Sequence, residues 1–313
     1  MNAVTPIAVD EVAAESCPIC DSRRTRLRYP ANIDPSVPLA GAEFACTSPH
    51  LNRHAAIRHC AVCGIVFADP PGTETAVIET YQSAVDPTYL EELDYRRGLF
   101  RAQLAELERL ERPGRLLEIG SNIGLFLDEA GRRGWRARGV EPSRWAVEYG
   151  RRSFGVDLQA GTLQDVDLGG EQFDAVVLWD VLEHLVDPVD VLRQARRHLR
   201  PGGVLMLTTV NIGGLSARLL RGRWPWLMRM HLFYFTRRTL AMVVRRAGYT
   251  PLAFHTQGRT LRLNYLLARL RTFSPLFGLL HTASRRLGLG GLPLRVNTGD
   301  ILVAVALKPD GGE

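Results

Sequence analysis

The sequence predicts an α/β fold: a parallel sheet covered by helices on both faces, preceded by a small loop-rich module. Three observations predict it. From Arg115 onward, short apolar runs alternate with amphipathic stretches, the pattern of strands joined by crossover helices. The crossovers carry recognisable helix start and stop residues. Upstream, residues 15–70 hold two cysteine pairs, several prolines and little helical periodicity, the composition of a small unit that needs a staple.

Taken in order, residues 1–14 read as a flexible tail and residues 15–72 as the stapled module, closed by Pro70-Pro71-Gly72. Leu93, Phe100, Leu104 and Leu107 recur at helical spacing, so residues 86–111 are expected as a linking helix, ended by Pro113-Gly114. Leu116–Ile119 is a short apolar strand, followed by a helix over Gly124–Arg133. Arg136–Val140, Val156–Gln159 and Phe173–Trp179 are further strands, with a helix over Arg144–Phe154. Asp187 and Pro188 open the next helix as N-cap and first residue. Pro201-Gly202-Gly203 stops it, and Val204–Val210 is the next strand. Asn211–Met230 is an insertion rich in Gly, Arg and Trp. Thr236 caps a helix buried through Leu240, Val243, Val244 and Ala247 and ended by Gly248. Pro251–His255 and Ile301–Ala306 are the last strands, with a basic, leucine-rich helical insertion, 261–294, between them.

The chain has 313 residues and a net charge of +6, most of it arginine spread along the sequence. Such a spread reads as a solvated basic surface, with an anionic partner as the other reading. Nucleic acid is disfavoured, because no basic run is interleaved with aromatics. No apolar run is long enough to span a bilayer. Met1–Glu15 is acidic and lacks the basic-then-apolar order of a secretory signal, so the expected compartment is the cytoplasm. Leu261–Arg286 reads as a helical cap on the core, with contact to an anionic membrane surface as the other reading.

Four of five cysteines form the pairs Cys17-Pro-Ile-Cys20 and Cys60-Ala-Val-Cys63. In a cytosolic chain such pairs favour metal over disulfides. Four thiolates close a tetrahedral zinc shell with no open position, which builds structure and does not catalyse. The 39 residues between Cys20 and Cys60 exceed the usual zinc-ribbon gap, and Cys46, His50, His54 and His59 are rival ligands.

The sharpest signal is Glu118-Ile-Gly120-Ser-Asn122-Ile-Gly124, between a strand and a helix. A tight turn at that junction needs residues that tolerate positive φ and admit a ligand close to the backbone. Gly120 and Gly124 meet that need, and Asn122 is the non-glycine residue best suited to it. The dinucleotide fingerprint G-x-G-x-x-G fails, since its positions hold Gly120, Asn122 and Leu125. Glu141 ends the next strand in Gly139-Val-Glu141-Pro-Ser143. An acid there can hold both hydroxyls of an adenosine ribose.

These two blocks, with Phe173-Asp-Ala-Val-Val-Leu-Trp-Asp-Val-Leu-Glu-His184 and Leu199-Arg-Pro-Gly-Gly203, resemble the class I S-adenosylmethionine-dependent methyltransferases over residues 113–256. The resemblance implies a seven-stranded, mostly parallel, doubly wound sheet whose last strand is antiparallel and paired beside strand six. It implies that Glu118, Gly120, Ser121, Asn122 and Gly124 wrap the methionine part of S-adenosylmethionine. Glu141, with Pro142 beside it, would bind the ribose. Thr162 and Leu163 would lie near the adenine, and Trp179 and Asp180 would face cofactor and acceptor. Most members carry glycine where this chain has Asn122. A subset of bacterial members is similar in having paired cysteines ahead of the domain, here Cys17, Cys20, Cys60 and Cys63 as zinc ligands. That subset implies nucleotide-linked sugars, natural-product or cell-envelope intermediates as acceptors.

Methyl transfer to oxygen or carbon needs an aligned nucleophile and a group that takes its proton. Histidine is the usual base near neutral pH. His184 follows the Phe173–Trp179 strand, and His231 follows Trp224-Pro-Trp226. Asp180 can orient either or act as a base itself. Glu183 reads as a helix-end charge. Trp224, Trp226, Met228, Met230 and Phe233 read either as an acceptor pocket or as an aromatic lid packed on the core. Two other readings share this fold: a nicotinamide-dependent oxidoreductase, disfavoured by the failed fingerprint, and a cofactor-binding interaction protein without turnover.

Overall fold

The computed structural model describes residues 16–34, 46–47, 50–69, 74–271 and 274–311. The expected tail, 1–14, and Pro70-Pro71-Gly72 lie outside the described residues.

The N-terminal strands are β1 (Thr25–Tyr29), β2 (Ala56–Cys60) and β3 (Val66–Asp69). Helix α1 (Glu74–Gln82) follows. The expected helix over 86–111 begins only at Leu93. Asp86 caps a short 3-10 segment, Pro87–Glu92, before α2 (Leu93–Leu107). Proline fits the first turn of such a segment and sets its start.

The α/β part runs β4 (Arg115–Ile119), α3 (Leu125–Arg132), β5 (Arg136–Glu141), α4 (Arg144–Phe154), β6 (Asp157–Ala160), β7 (Phe173–Trp179), α5 (Pro188–His198) and β8 (Leu199–Val210). The expected stop at Pro201-Gly202-Gly203 comes earlier. Helix α5 ends at His198, and Leu199 already pairs with Phe173 in the sheet. Then come α6 (Leu215–Leu220), β9 (Phe233–Tyr234), α7 (Arg237–Arg246), β10 (Thr250–Thr256), β11 (Arg259–Arg262), α8 (Leu263–Leu270), α9 (Pro275–Arg286), β12 (Pro293–Val296) and β13 (Ile301–Leu307).

Seven strands form one sheet in the order β10-β13-β8-β7-β4-β5-β6. The pairs among β4 to β8 are parallel, while β13 is antiparallel to both β8 and β10. Alternate residues of the central strands feed two cores. Leu117, Ile119, Val176 and Leu178 pack with α5 and α7 on one face. Leu116, Ala175, Val177 and Trp179 pack with α2, α3 and α4 on the other. Burial on both faces is why β7 is apolar at nearly every position.

A second sheet, β1-β2-β3-β9, is antiparallel. Its last strand comes from the segment after β8: Val66 pairs with Tyr234 and Phe67 with Phe233. Asn52 strengthens this link, its side-chain amide donating to the carbonyls of Gly222 (2.8 Å) and Trp224 (3.1 Å).

The 261–294 insertion is helical in its middle, but its ends form an antiparallel ribbon, β11 with β12. Pro275 occupies the first turn of α9, capped by Ser274, where its missing N–H costs nothing. Leu276, Leu279, Leu280 and Leu287 remain exposed. Among the described residues no helix is long and apolar enough to cross a membrane.

Candidate active site

Parallel strands β4, β5 and β7 end at a cavity of about 2060 Å³, where strand order reverses about β4. A typical single-ligand pocket holds roughly 300–1,000 Å³, so this one has room for two ligands side by side.

One wall is made by the turn after β4. Gly120 has φ +74°, and a Cβ there would lie 2.5 Å from Val181 Cγ2. Asn122 has φ 48°, and its Oδ1 accepts the Ile123 N–H at 2.7 Å, a local bond that suits asparagine to the left-handed region. The Glu141 carboxylate ties the turn to β5. It accepts the Asn122 N–H and the Ser143 N–H, each at 2.8 Å. Ser143 in turn caps α4 through the Ala146 N–H.

Glu118 is 2 % exposed, and its Oε2 lacks a hydrogen-bond partner among the described residues. Burial, with the nearby Glu141 charge adding to it, raises its carboxyl well above the usual range. Burial also raises Glu141. A buried carboxylate oxygen without a donor is costly. A cationic ligand group in the cavity removes that cost, and S-adenosylmethionine brings both a sulfonium and an ammonium. The donor set therefore fits it.

Of the residues expected on the cofactor, Glu118, Gly120, Ser121, Asn122, Glu141 and Pro142 line the cavity, as do Thr162, Leu163 and Trp179. Gly124 does not. It is the left-handed N-cap of α3, and a Cβ there would press on Val156 Cγ2 at 2.8 Å, so it shapes the loop from behind. Thr162 is held by Asp165, which accepts from its N–H and its hydroxyl.

The facing wall follows β7. Asp180 has φ 54°. Its N–H donates to Thr208 Oγ1 at 2.9 Å, and that hydroxyl donates to Asp180 Oδ1 at 2.9 Å. A 3-10 turn, Leu182–His184, then presents Glu183 and His184. His184 Nδ1 lies 3.0 Å from the Met230 carbonyl, and His231 Nδ1 lies 2.8 Å from the Trp226 carbonyl. A carbonyl only accepts, so each Nδ1 carries a proton. The two rings are 4.8 Å apart, centre to centre. Trp226 stacks on His231, and Tyr81 of α1 meets His184 edge-on at 5.9 Å. Desolvation lowers His184 to about 4, so it is neutral at neutral pH and available to accept a proton.

One expectation for this wall is corrected, and one open alternative is decided. Glu183 is not a helix-end charge: it is 1 % exposed, and its Oε2 accepts the Thr209 Oγ1–H at 2.8 Å. The amide of Leu232 also donates to the Glu183 carbonyl, which draws the segment after β8 over it. Trp224 and Phe233 do not line the cavity but fill the core, at 1 % and 0 % exposure. The Trp224 indole donates to Asp300 Oδ1, and Phe233 sits in β9. Trp226, Met228 and Met230 do line it. Tyr81 had no distinguishing sequence pattern; only the fold brings it to His184.

Beside the N-terminal sheet, Cys17, Cys20, Cys60 and Cys63 bring their sulfurs within 4.8 Å of one another. Cys17–Cys63 and Cys20–Cys60 contacts are 3.7 and 3.6 Å. The Val62 N–H points at Cys60 Sγ at 3.4 Å, and bonds to the backbone amides of Cys63 and Val62, with those to the neighbouring thiols, outweigh burial and lower Cys60 to about 7. Burial raises Cys63 to about 11. The rival Cys46 lies elsewhere, 3.3 Å from Asn122 Nδ2.

Comparison with known proteins fits this geometry. A family model described as a methyltransferase domain matches residues 89–253. The ubiquinone biosynthesis O-methyltransferases of Cereibacter sphaeroides and Ruegeria pomeroyi are 27% and 28% identical over 181 residues, covering 50% of this chain and 73% of each relative. The partner of the Trm112 methyltransferase activator in a solved complex from Haloferax volcanii superposes with a TM-score of 0.50 at 15% identity, covering 71% of this chain and 98% of its own; it speaks to the fold alone. The match of the family model spans more than half of the chain, so the chain belongs to the methyltransferase domain family and is an S-adenosylmethionine-dependent methyltransferase.

Proposed function

We propose that the protein methylates an oxygen of a small-molecule acceptor held between the Glu118–Asn122 turn and the His184–His231 wall. One observation carries the reading: a single large cavity has a cofactor-type turn on one side and two imidazoles, His184 and His231, on the other. S-adenosylmethionine supplies an activated methyl group. The chain's residues do the rest. Glu118 neutralises the cofactor's positive charge, and Glu141 has lone pairs for the ribose hydroxyls while it braces the turn. Thr162, Leu163, Ser121 and Pro142 border the same space. Asp180, His184 and His231 take the acceptor's proton out of the reaction. The O-methyltransferase names of the relatives favour oxygen over carbon. Nucleotide-linked sugars, natural-product intermediates and lipid-linked or cell-envelope intermediates are the acceptor classes to screen. Exposed leucines on α9, beside Arg285 and Arg286, suit contact with an anionic membrane surface.

Residues 15–72 are read as a zinc-stapled module, 86–112 as the linker and 113–313 as the methyltransferase domain, in a cytoplasmic protein. The sulfur contacts support the staple. Zinc–thiolate bonds of about 2.3 Å give tetrahedral edges of roughly 3.8 Å, close to those observed. The test is formation of S-adenosylhomocysteine on incubation with phenols, nucleotide sugars and lipid-linked acceptors. Product with one class supports the reading. Absence of product with all of them, in a protein that binds the cofactor, would favour the interaction-protein reading.

A further inference from the structure

We infer that arginines of the β11–β12 ribbon form an anion subsite in the cavity, which holds a phosphate or diphosphate group of the methyl acceptor. The inference rests on the methyltransferase reading and narrows the acceptor to one that carries such a group. Pairing in the ribbon sets Arg295 opposite Thr260 and Arg262 opposite Pro293. Side chains alternate between the faces of a strand, so Arg262 and Arg295 share one face. As diagonal neighbours they stand roughly 7–8 Å apart. Both line the cavity, together with Arg223 from the segment after α6 and Arg271 from the end of α8.

These charges lack counter-ions within the protein. No carboxylate among the described residues, Asp94 beside Tyr95 included, forms an ion pair with Arg223, Arg262, Arg271 or Arg295. Two acids of the same lining are engaged elsewhere. Glu106 lies 3.3 Å from His255 Nε2, and Asp300 accepts from the Trp224 indole and the Thr298 hydroxyl. Like charges on one ribbon face repel, and an anion held between them removes that cost. Arg262 is also oriented: its guanidinium lies over the Tyr95 ring, 4.7 Å from the centroid. Stacking uses the face of a guanidinium and leaves its N–H edge for a ligand.

The ligand class follows from the donors and their place in the sheet. A guanidinium fork takes phosphate oxygens two at a time. Two forks on one face suit a group with several anionic oxygens, as in a phosphomonoester or a diphosphate. The ribbon leads into β13, whose Ile301 pairs with Val210 at the end of β8. In the sheet, β13 is separated from β4 by β8 and β7. The cofactor turn follows β4, and His184 follows β7 between the two. An acceptor anchored at the ribbon therefore extends past the histidines toward the cofactor turn. Its phosphate stays intact and serves only as the anchor.

Calorimetric titration of the full chain, saturated with S-adenosylhomocysteine, tests this. The probes are inorganic pyrophosphate, uridine diphosphate, and phosphatidylcholine vesicles with and without a polyprenyl diphosphate. Pyrophosphate should bind saturably, and added salt should weaken it. A double variant, Arg262→Gln with Arg295→Gln, should lose affinity by at least about tenfold. Both residues are exposed, so the fold and S-adenosylmethionine affinity should be unchanged. Arg193→Gln with Arg197→Gln, an exposed pair on α5 outside this cavity, should leave pyrophosphate binding as it was. Tighter binding of uridine diphosphate than of pyrophosphate assigns a nucleotide-linked acceptor. Binding to loaded but not to bare vesicles assigns a lipid-linked one, and either result supports the subsite. A protein that binds S-adenosylmethionine but none of the phosphate probes overturns the subsite and leaves the methyltransferase reading intact. Undiminished binding in the ribbon variant, or an equal loss in the α5 variant, overturns it too. Failure to bind S-adenosylmethionine would instead count against the cofactor reading.

Discussion

The two walls of the cavity are built in different ways. The wall proposed for the cofactor is local: Glu118 to Gly124 is a single strand–turn–helix junction, and Glu141 reaches it from the adjacent strand. The wall proposed for the acceptor is assembled from distant segments. Tyr81 comes from α1, Glu183 and His184 from the turn after β7, and Trp226 and His231 from the segment held down by β9. A wall made from one short turn is set by backbone angles that particular residues must tolerate. A wall made from three segments is set by tertiary packing. The first suits a ligand common to a whole family; the second suits one particular to the chain.

This comparison breaks if the two walls do not separate in experiment. The largest effect is expected from His231→Ala. Turnover should fall by about 10²–10⁴-fold, the usual contribution of proton-handling groups, while S-adenosylmethionine affinity stays within about threefold by calorimetry. A parallel loss of both would mean that the walls are one unit.

Gly120→Ala comes next and acts on the other wall. Its φ of +74° and the approach of Val181 Cγ2 cost an L side chain about 1–2 kcal/mol, or roughly tenfold in cofactor affinity. An unchanged affinity would show that the turn relaxes without consequence.

The smallest effect is a pH dependence. Burial raises Glu118 and Glu141 in the free protein. A carboxyl raised on folding binds protons that the unfolded chain has released, so it favours the unliganded fold as pH falls from the raised value toward the ordinary value of 4.5. A cationic ligand favours ionised Glu118, so binding should release protons and tighten with rising pH, by at most about tenfold per unit for each proton. Titrations in two buffers of different ionisation heat read that release directly. Equal heats in both would contradict it.

What the sequence made legible follows the same division. The sheet was readable because its strands are apolar on both faces, as in Phe173–Trp179, and because Asp187-Pro188 and Thr236 cap their helices. Glu118, Gly120, Asn122 and Glu141 stood out because the turn demands unusual backbone angles at fixed spacing. Glu183 did not, since an acid beside a histidine near a helix is usually a solvated charge; only Thr209 and the overlying Leu232 amide bury it. Trp224 and Phe233 stayed open between two readings for the converse reason. An aromatic-rich loop looks like a pocket wall, but pairing of β9 with β3 draws it into the core. The β11–β12 ribbon escaped notice because its basic residues do not resemble a strand until the partner is in place.

The most direct test of the account is calorimetric titration of the folded protein with S-adenosylmethionine, alongside Glu141→Ala. The account predicts saturable binding at one site per chain. Removing the carboxylate that braces Asn122 and Ser143 takes away charge-assisted hydrogen bonds of about 1.5–3 kcal/mol each, so Glu141→Ala should weaken binding by at least about tenfold. Binding of equal strength in the variant, or no binding by the folded wild type, would contradict the claim that this turn and Glu141 hold the cofactor.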